Sequence, residues 1–153
     1  MNKRLLLFIV FGAVTLFFST TAIAILGEHV DSVESDRKAL SAVRHATVEQ
    51  TEYTVHEIVS SRVTVREYVS SSGIVFAIAW SGHFPPDLNQ LLGTYFPEYT
   101  EAAKQVQRTP GRRHLSVTTE NVIVETSGRM RAWRGRAYAP DLIPTGVNIN
   151  EIQ

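Results

Sequence analysis

The spacing of hydrophobic positions changes character along this 153-residue chain, and each change marks an element. Leu5 to Phe18 is an apolar run broken only by Gly12 and Thr15. Val33, Leu40 and Val43 then recur near helical spacing. Asp31 or Ser32 stands where a cap is needed and Glu34 and Asp36 fall in the first turn, so an opening helix is expected. From Thr51 the period becomes two. Tyr53, Val55 and Val59 alternate with Thr54, His56 and Ile58, and Val63, Val65, Glu67 and Val69 alternate with Thr64, Arg66 and Tyr68, which predicts two strands. Ser70-Ser71-Ser72-Gly73 reads as a turn into Ile74-Val75-Phe76-Ala77-Ile78-Ala79-Trp80, a run with no polar residue on either face. Such a strand is covered on both sides, so residues 63–80 are expected to form a hairpin at the heart of the core. Phe76, Ile78 and Trp80 should share one interior with Leu88, Leu91 and Leu92.

Leu88, Leu91, Leu92, Tyr95, Phe96 and Tyr99 lie at i, i+3, i+4, i+7, i+8 and i+11, a single helical stripe. Gly93 and Pro97 interrupt it, and a proline disfavours helical geometry in the residue before it. Two short helices, 87–93 and 97–107, are therefore predicted to meet at an elbow. Strands at about 113–118, 121–126 and 129–138 follow, the last two joined by a tight turn at Ser127-Gly128. The tail from about residue 139, with Pro140, Pro144 and Gly146, reads as extended. The whole predicts one α+β domain: an antiparallel sheet of about five or six strands with helices packed against it.

The opening apolar run changes the domain boundaries. Lys3 and Arg4 precede it, Ser19 to Thr21 follow, and then comes Ala22-Ile23-Ala24. A basic start, an apolar core too short to span a bilayer and an A-x-A triplet describe a signal peptide, so residues 1–24 are assigned to export and 25–153 to the domain. No second long apolar segment occurs, and no membrane span is expected after cleavage. The absence of cysteine excludes disulfides, thiol catalysis and a lipidated cysteine anchor. Lys+Arg and Asp+Glu are 15 each, so bulk charge gives no reason to expect a nucleic-acid partner.

Local catalytic motifs are missing. His56-Glu57 resembles the start of a zinc-protease motif, but Ser60 stands where the second histidine belongs and the segment reads as strand. No metal site is predicted, and no cofactor is implied. Ser81-Gly82-His83 has neither a nucleophile elbow nor an acid to orient the histidine. Glu57 and Glu67 are read as charges on the solvated face of a sheet. No catalytic residue is assigned.

Charge is distributed unevenly. Residues 25–103 hold five Lys/Arg against eleven Asp/Glu, whereas residues 104–136 hold eight against two. The end of the basic stretch interleaves arginine with aromatics, which makes Arg129, Arg131, Trp133, Arg134, Arg136 and Tyr138 the candidate binding residues. Arginine suits bidentate capture of carboxylate or phosphate, and neighbouring rings can stack on a ligand. The matching partner is an anionic envelope component or an acidic protein. Opposed to this is a structural role, cross-strand pairing of the arginines with the acidic half of the domain. By parity Arg129 and Arg131 face one way and Arg134 and Arg136 the other, unless a bulge at Gly135 reunites them.

Three segments carry a resemblance: Thr64-Val65-Arg66-Glu67-Tyr68-Val69 running through Gly73 to Val75–Gly82; Leu91-Leu92-Gly93-Thr94-Tyr95-Phe96; and Gly135-Arg136-Ala137-Tyr138-Ala139-Pro140 running to Pro144-Thr145-Gly146-Val147. In order and spacing the chain resembles a family of exported bacterial proteins with a domain of unknown function. The resemblance implies a Gram-negative source and transfers no activity. The expectation is a non-enzymatic envelope or secreted binding protein, periplasmic or extracellular. The alternative is a hydrolase without a sequence-local motif, to be distinguished by a closed pocket holding His, Asp or Glu. If export holds, N-terminal sequencing of protein recovered outside the cytoplasm begins at or near Ile25. A product that starts at Met1 and stays in the membrane overturns the assignment.

Overall fold

The alternating segments build one open antiparallel sheet of seven strands: β1 (Val43–Glu49), β2 (Tyr53–Val59), β3 (Val63–Ser70), β4 (Val75–Gly82), β5 (His114–Thr118), β6 (Ile123–Arg129) and β7 (Ala132–Tyr138). The computed structural model describes residues 26–29, 43–107, 111 and 113–153, so the segment 1–24 and the helix expected from Asp31 lie outside the described residues. Strand order is β1-β2-β3-β4-β7-β6-β5. Two meanders, β1–β4 and β5–β7, thus meet where β4 pairs with β7. The chain is a single α+β domain as expected, with seven strands instead of five or six. The additional one is β1. Val43, expected to close a helical stripe, instead opens a strand that pairs along β2. Pairing with a ready edge outweighs a weak helical period.

Between the meanders runs an 18-residue helical segment made of α1 (Leu88–Leu92), a 3-10 turn (Gly93–Tyr95) and α2 (Phe96–Gln105). Asp87 caps α1 by accepting from the Asn89 N–H at 2.9 Å. Gly93 at φ 48° and Pro97 in the first turn of α2 form the expected elbow. In that same turn Glu98 accepts from the Asn121 backbone and side-chain nitrogens at 3.3 and 3.0 Å, which ties α2 to the β5–β6 turn. Hydrogen bonds from Thr119 and Asn121 hold its carboxyl below the usual carboxylate range.

Both faces of the sheet are covered, which is what an all-apolar β4 requires. On one face Val65, Ile78, Trp80, Val124 and Ala137 pack against Leu91 and Leu92, with Leu88, Tyr95, Phe96 and Tyr99 around them. Leu26 is fully buried in the same cluster. Its segment is fixed to β4 by Gly27 N–H donating to Val75 O and Val75 N–H donating to Glu28 O, at 2.8 and 2.9 Å. The other face is covered by the C-terminal tail. Far from being simply extended, the tail forms 3-10 turns at Pro140–Leu142 and Ile149–Glu151 and packs Leu142, Ile143, Val147, Ile149 and Ile152 over Tyr68, Phe76, Ala77 and Ala79.

Phe76 therefore does not share an interior with Ile78 and Trp80. Tyr68 pairs with Ala77 and Val69 with Val75, so Phe76 is the extra residue of a β-bulge and turns to the tail face. There its ring meets Tyr53 and Tyr68 edge-on at 5.9 and 6.3 Å between centroids.

The two glutamates also separate. Register pairs Glu57 with Arg66 but Glu67 with His56, so the carboxylates lie on opposite faces. Glu67 is fully buried under the helix side, opposite a buried His56 whose Nδ1 lies 3.2 Å from Thr47 Oγ1. The solvated face on which both were expected is the face that the tail covers. Phe76→Ala should cost about 3–5 kcal/mol in denaturant unfolding by leaving a cavity beneath the tail. A loss below about 1 kcal/mol means that the tail is not a structural cover.

Candidate functional site

Antiparallel register lines up residues of successive strands in rows across the sheet, each row lying on one face. On the tail face the central row reads Glu57, Arg66, Ala79, Arg136, Glu125, Ser116 from β2 to β5. Each arginine of the row is held by the glutamate on its outer side: Arg66 Nε donates to Glu57 Oε2 at 2.7 Å, and Arg136 Nε to Glu125 Oε2 at 2.6 Å. Their remaining donors reach the tail. Arg66 Nη1 donates to Gln153 O at 2.9 Å, and Arg136 Nη1 to Ile149 O and Ile152 O at 2.7 and 3.3 Å. Tyr68 adds a bond from its hydroxyl to Gln153 O at 3.1 Å.

One row further toward the start of β7 the sequence of side chains is Val59, Thr64, Ser81, Arg134, Ser127, His114. A groove of about 660 Å³ lies here, lined by Ser81, Arg134, Ser127 and His114 and bordered by Arg66, Arg136, Glu125, Ile152 and Gln153. Directly opposed residues on neighbouring strands hold their Cβ atoms about 4.5–5.5 Å apart, so both serine hydroxyls stand within reach of anything Arg134 binds. Arg134 is exposed and, among the described residues, makes no ion pair. With Arg66 paired to Glu57 and Arg136 to Glu125, Arg134 carries the unneutralised charge of the lining and makes the groove cationic.

The candidate residues are divided by this geometry. Trp133, Arg134 and Arg136 line the groove, whereas Arg129, Arg131 and Tyr138 do not. Tyr138 is half-buried beneath the tail with Arg136 over its ring at 5.9 Å, and burial, reinforced by the Glu125 charge, pushes its phenol pKa up. Arg136 has the structural role set against binding, although its carboxylate comes from Glu125 within the basic stretch and not from the acidic half.

The expected parity fails because the turn is elsewhere. Ser127 and Gly128 pair with Arg134 and Trp133 inside the β6–β7 ladder, and the turn is Met130-Arg131. Arg129 consequently stands opposite Ala132, on the same face as Arg134 and Arg136, while Arg131 sits in the turn. No bulge occurs at Gly135, where the ladders to β4 and β6 run unbroken. Glycine is needed at 128 and 135 for another reason: the Trp133 ring occupies the space of a Cβ at Gly128, and the Trp80 ring that of a Cβ at Gly135.

Sequence reasoning passed over Arg66, Ser81, His114, Glu125 and Ser127. They lie on four strands and meet only through register, and no local spacing announces them. No group of three His, Asp or Glu able to hold a metal occurs among the described residues. The buried His56 and Glu67 are on the opposite face of the sheet from the groove.

An open antiparallel sheet, closed on one face by a helix and on the other by a tail that leaves a cationic groove, defines the class of protein. The chain belongs to the DUF2844 family, a protein family of unknown function, whose profile matches residues 22–152. No curated protein and no solved structure matches it.

Since Arg136 joins Glu125 to two tail carbonyls, Arg136→Gln should lower stability by about 2 kcal/mol, the usual scale for lost hydrogen bonds to a charged group. It should also loosen residues 149–153, seen as faster amide exchange there. Unchanged stability and exchange would make the pair ornamental.

Proposed function

We propose that the protein is an exported, non-enzymatic binding protein of the cell envelope whose groove captures a carboxylate or phosphate group of an envelope component. The observation that carries this reading is the contrast between neighbouring rows. Arg66 and Arg136 are engaged by glutamates, while Arg134, one row away among serines and a histidine, is not. An exposed arginine between two hydroxyl-bearing residues suits a planar or tetrahedral anion. The groove's volume falls in the range of small-ligand sites and favours an anionic group of that size over the broad face of an acidic protein. An open groove with arginines also agrees with binding better than with hydrolysis, which calls for an enclosed acid–base pair. Export is supported by the order of residues 1–24 and by the start of the family match at residue 22, within the cleavage triplet. Leu26, two residues beyond Ala24, is already seated in the core.

Calorimetric titration with inorganic phosphate and with a soluble uronic-acid oligosaccharide tests the groove. Arg134→Gln should weaken binding about tenfold and flatten its salt dependence without changing the melting temperature. Arg129→Gln, outside the groove, should leave binding unchanged. Equal effects of the two substitutions would reduce the reading to diffuse charge attraction and refute it.

A further inference from the structure

Four large hydrophobic side chains are exposed among the described residues, and three of them gather at one end of the sheet. Met130, 92% exposed, is at the β6–β7 turn; Trp133, 40% exposed, stands between Gly82 and Gly128 in the ladder; Phe84, 50% exposed, lies two residues beyond Gly82. The same end carries five guanidinium groups. Arg62, in the β2–β3 turn, stacks over the Phe84 ring at 4.7 Å, and its carbonyl accepts from His83 N–H at 3.1 Å. Arg113 is brought in by the bond from Gly128 N–H to its carbonyl at 3.0 Å. Arg129 and Arg131 flank Met130, and Arg134 follows. Residues 60–62, 82–86 and 128–134 include no carboxylate.

The tip breaks local rules in two ways. A two-residue hairpin turn favours Gly, Asn or Asp, yet here it is Met130-Arg131, and Arg131 is held at φ 62°, the positive-φ non-glycine residue of the described chain. Neither residue is repaid by packing: one is almost wholly in solvent, and the other is exposed in the left-handed region. Strain and exposure kept together at a hairpin turn point to function.

From this we infer that the end of the sheet is a docking edge for an anionic lipid surface, with Met130, Phe84 and Trp133 entering the headgroup–acyl boundary and the arginines meeting the headgroups. The order of side chains selects lipid over other polyanions. An exposed turn with an unbranched apolar side chain between two cations matches an interface that is charged outside and apolar a few ångströms deeper. Tryptophan is favoured at that depth. This is contact with one leaflet and requires no span; no helix among the described residues is long and apolar enough to cross a membrane. The edge shares Trp133 and Arg134 with the groove, but Met130, Phe84 and Arg131 take no part in it, so a Met130 variant separates the two.

Co-sedimentation with vesicles of phosphatidylglycerol and phosphatidylcholine, against phosphatidylcholine alone, tests the edge. The purified protein should bind the anionic vesicles and leave the neutral ones, and binding should fall with salt. Met130→Asp should reduce it at least tenfold while phosphate titration of the groove stays unchanged. Arg131→Gly should reduce it about fivefold, the effect of one surface cation, and should raise the melting temperature by relieving the turn. That variant must fold, so its result reads the edge directly. Absence of binding to anionic vesicles at low salt overturns the inference. So does binding that Met130→Asp leaves intact, or equal binding to DNA or polyglutamate that is insensitive to Met130→Asp, either of which marks a polyanion surface.

Discussion

Arg66 and Arg136 hold the second cover of the sheet in place, and the fold depends on that cover. β4 is buried along its length from Val75 to Trp80, so both faces above it must be closed to water. The chain has one described helical segment for one face. The other is closed by a tail that forms only isolated 3-10 turns and leaves many of its carbonyls without backbone partners. Buried carbonyls need donors. Arg136 supplies them to Ile149 and Ile152, while Arg66, on the other side of Ala79, holds the exposed end of the tail at Gln153, and Ile152 packs against Ala79. Glu57 and Glu125 in turn keep the guanidinium groups aimed. The central row is symmetric about β4 because the two meanders meet there with the same order of residues: glutamate outside, arginine inside.

Periodicity made much of this fold legible. The stripe from Leu88 to Tyr99 is the face that packs, Gly93 and Pro97 mark the elbow, and Ile74–Trp80 is the doubly covered strand. What periodicity does not carry is register. Gly128 and Gly135 have the composition of a turn and a bulge, but each is a strand glycine whose missing Cβ admits a tryptophan from the neighbouring strand. That demand comes from a residue at another place in the chain, so no local window contains it. Conversely, the real turn at Met130-Arg131 and the real bulge at Phe76 carry no glycine to announce them.

The same limit governs the candidate site. Arginine density drew attention to residues 129–136, of which 132–136 line the groove and 129–131 do not. Yet Arg134 and Arg136, two residues apart on the same face of one strand, play opposite parts. The difference is made by what faces them: Glu125 and tail carbonyls for one, Ser127 and Ser81 for the other. A charge becomes structural or available according to the row it enters, and rows join residues as far apart in the chain as Glu57 and Arg136, on an axis that sequence order does not show.

Groove and docking edge open at the same end of the sheet, and this relation gives the uneven charge a physical reason. The acidic first half spends Glu57 on the tail clamp and buries Glu67, so its negative charge is partly withdrawn from the surface. Among the described residues the basic half commits Arg136 in the same way, and Arg129, Arg131 and Arg134 remain exposed at the end where β6 turns into β7. A chain neutral in total is therefore cationic at one end. An edge seated on a lipid surface would bring Arg134, one ladder step above Trp133, to the height of the headgroups. There the groove would meet anionic groups carried by the same layer that the edge enters, and a small local groove would gain affinity from being held close to its ligand.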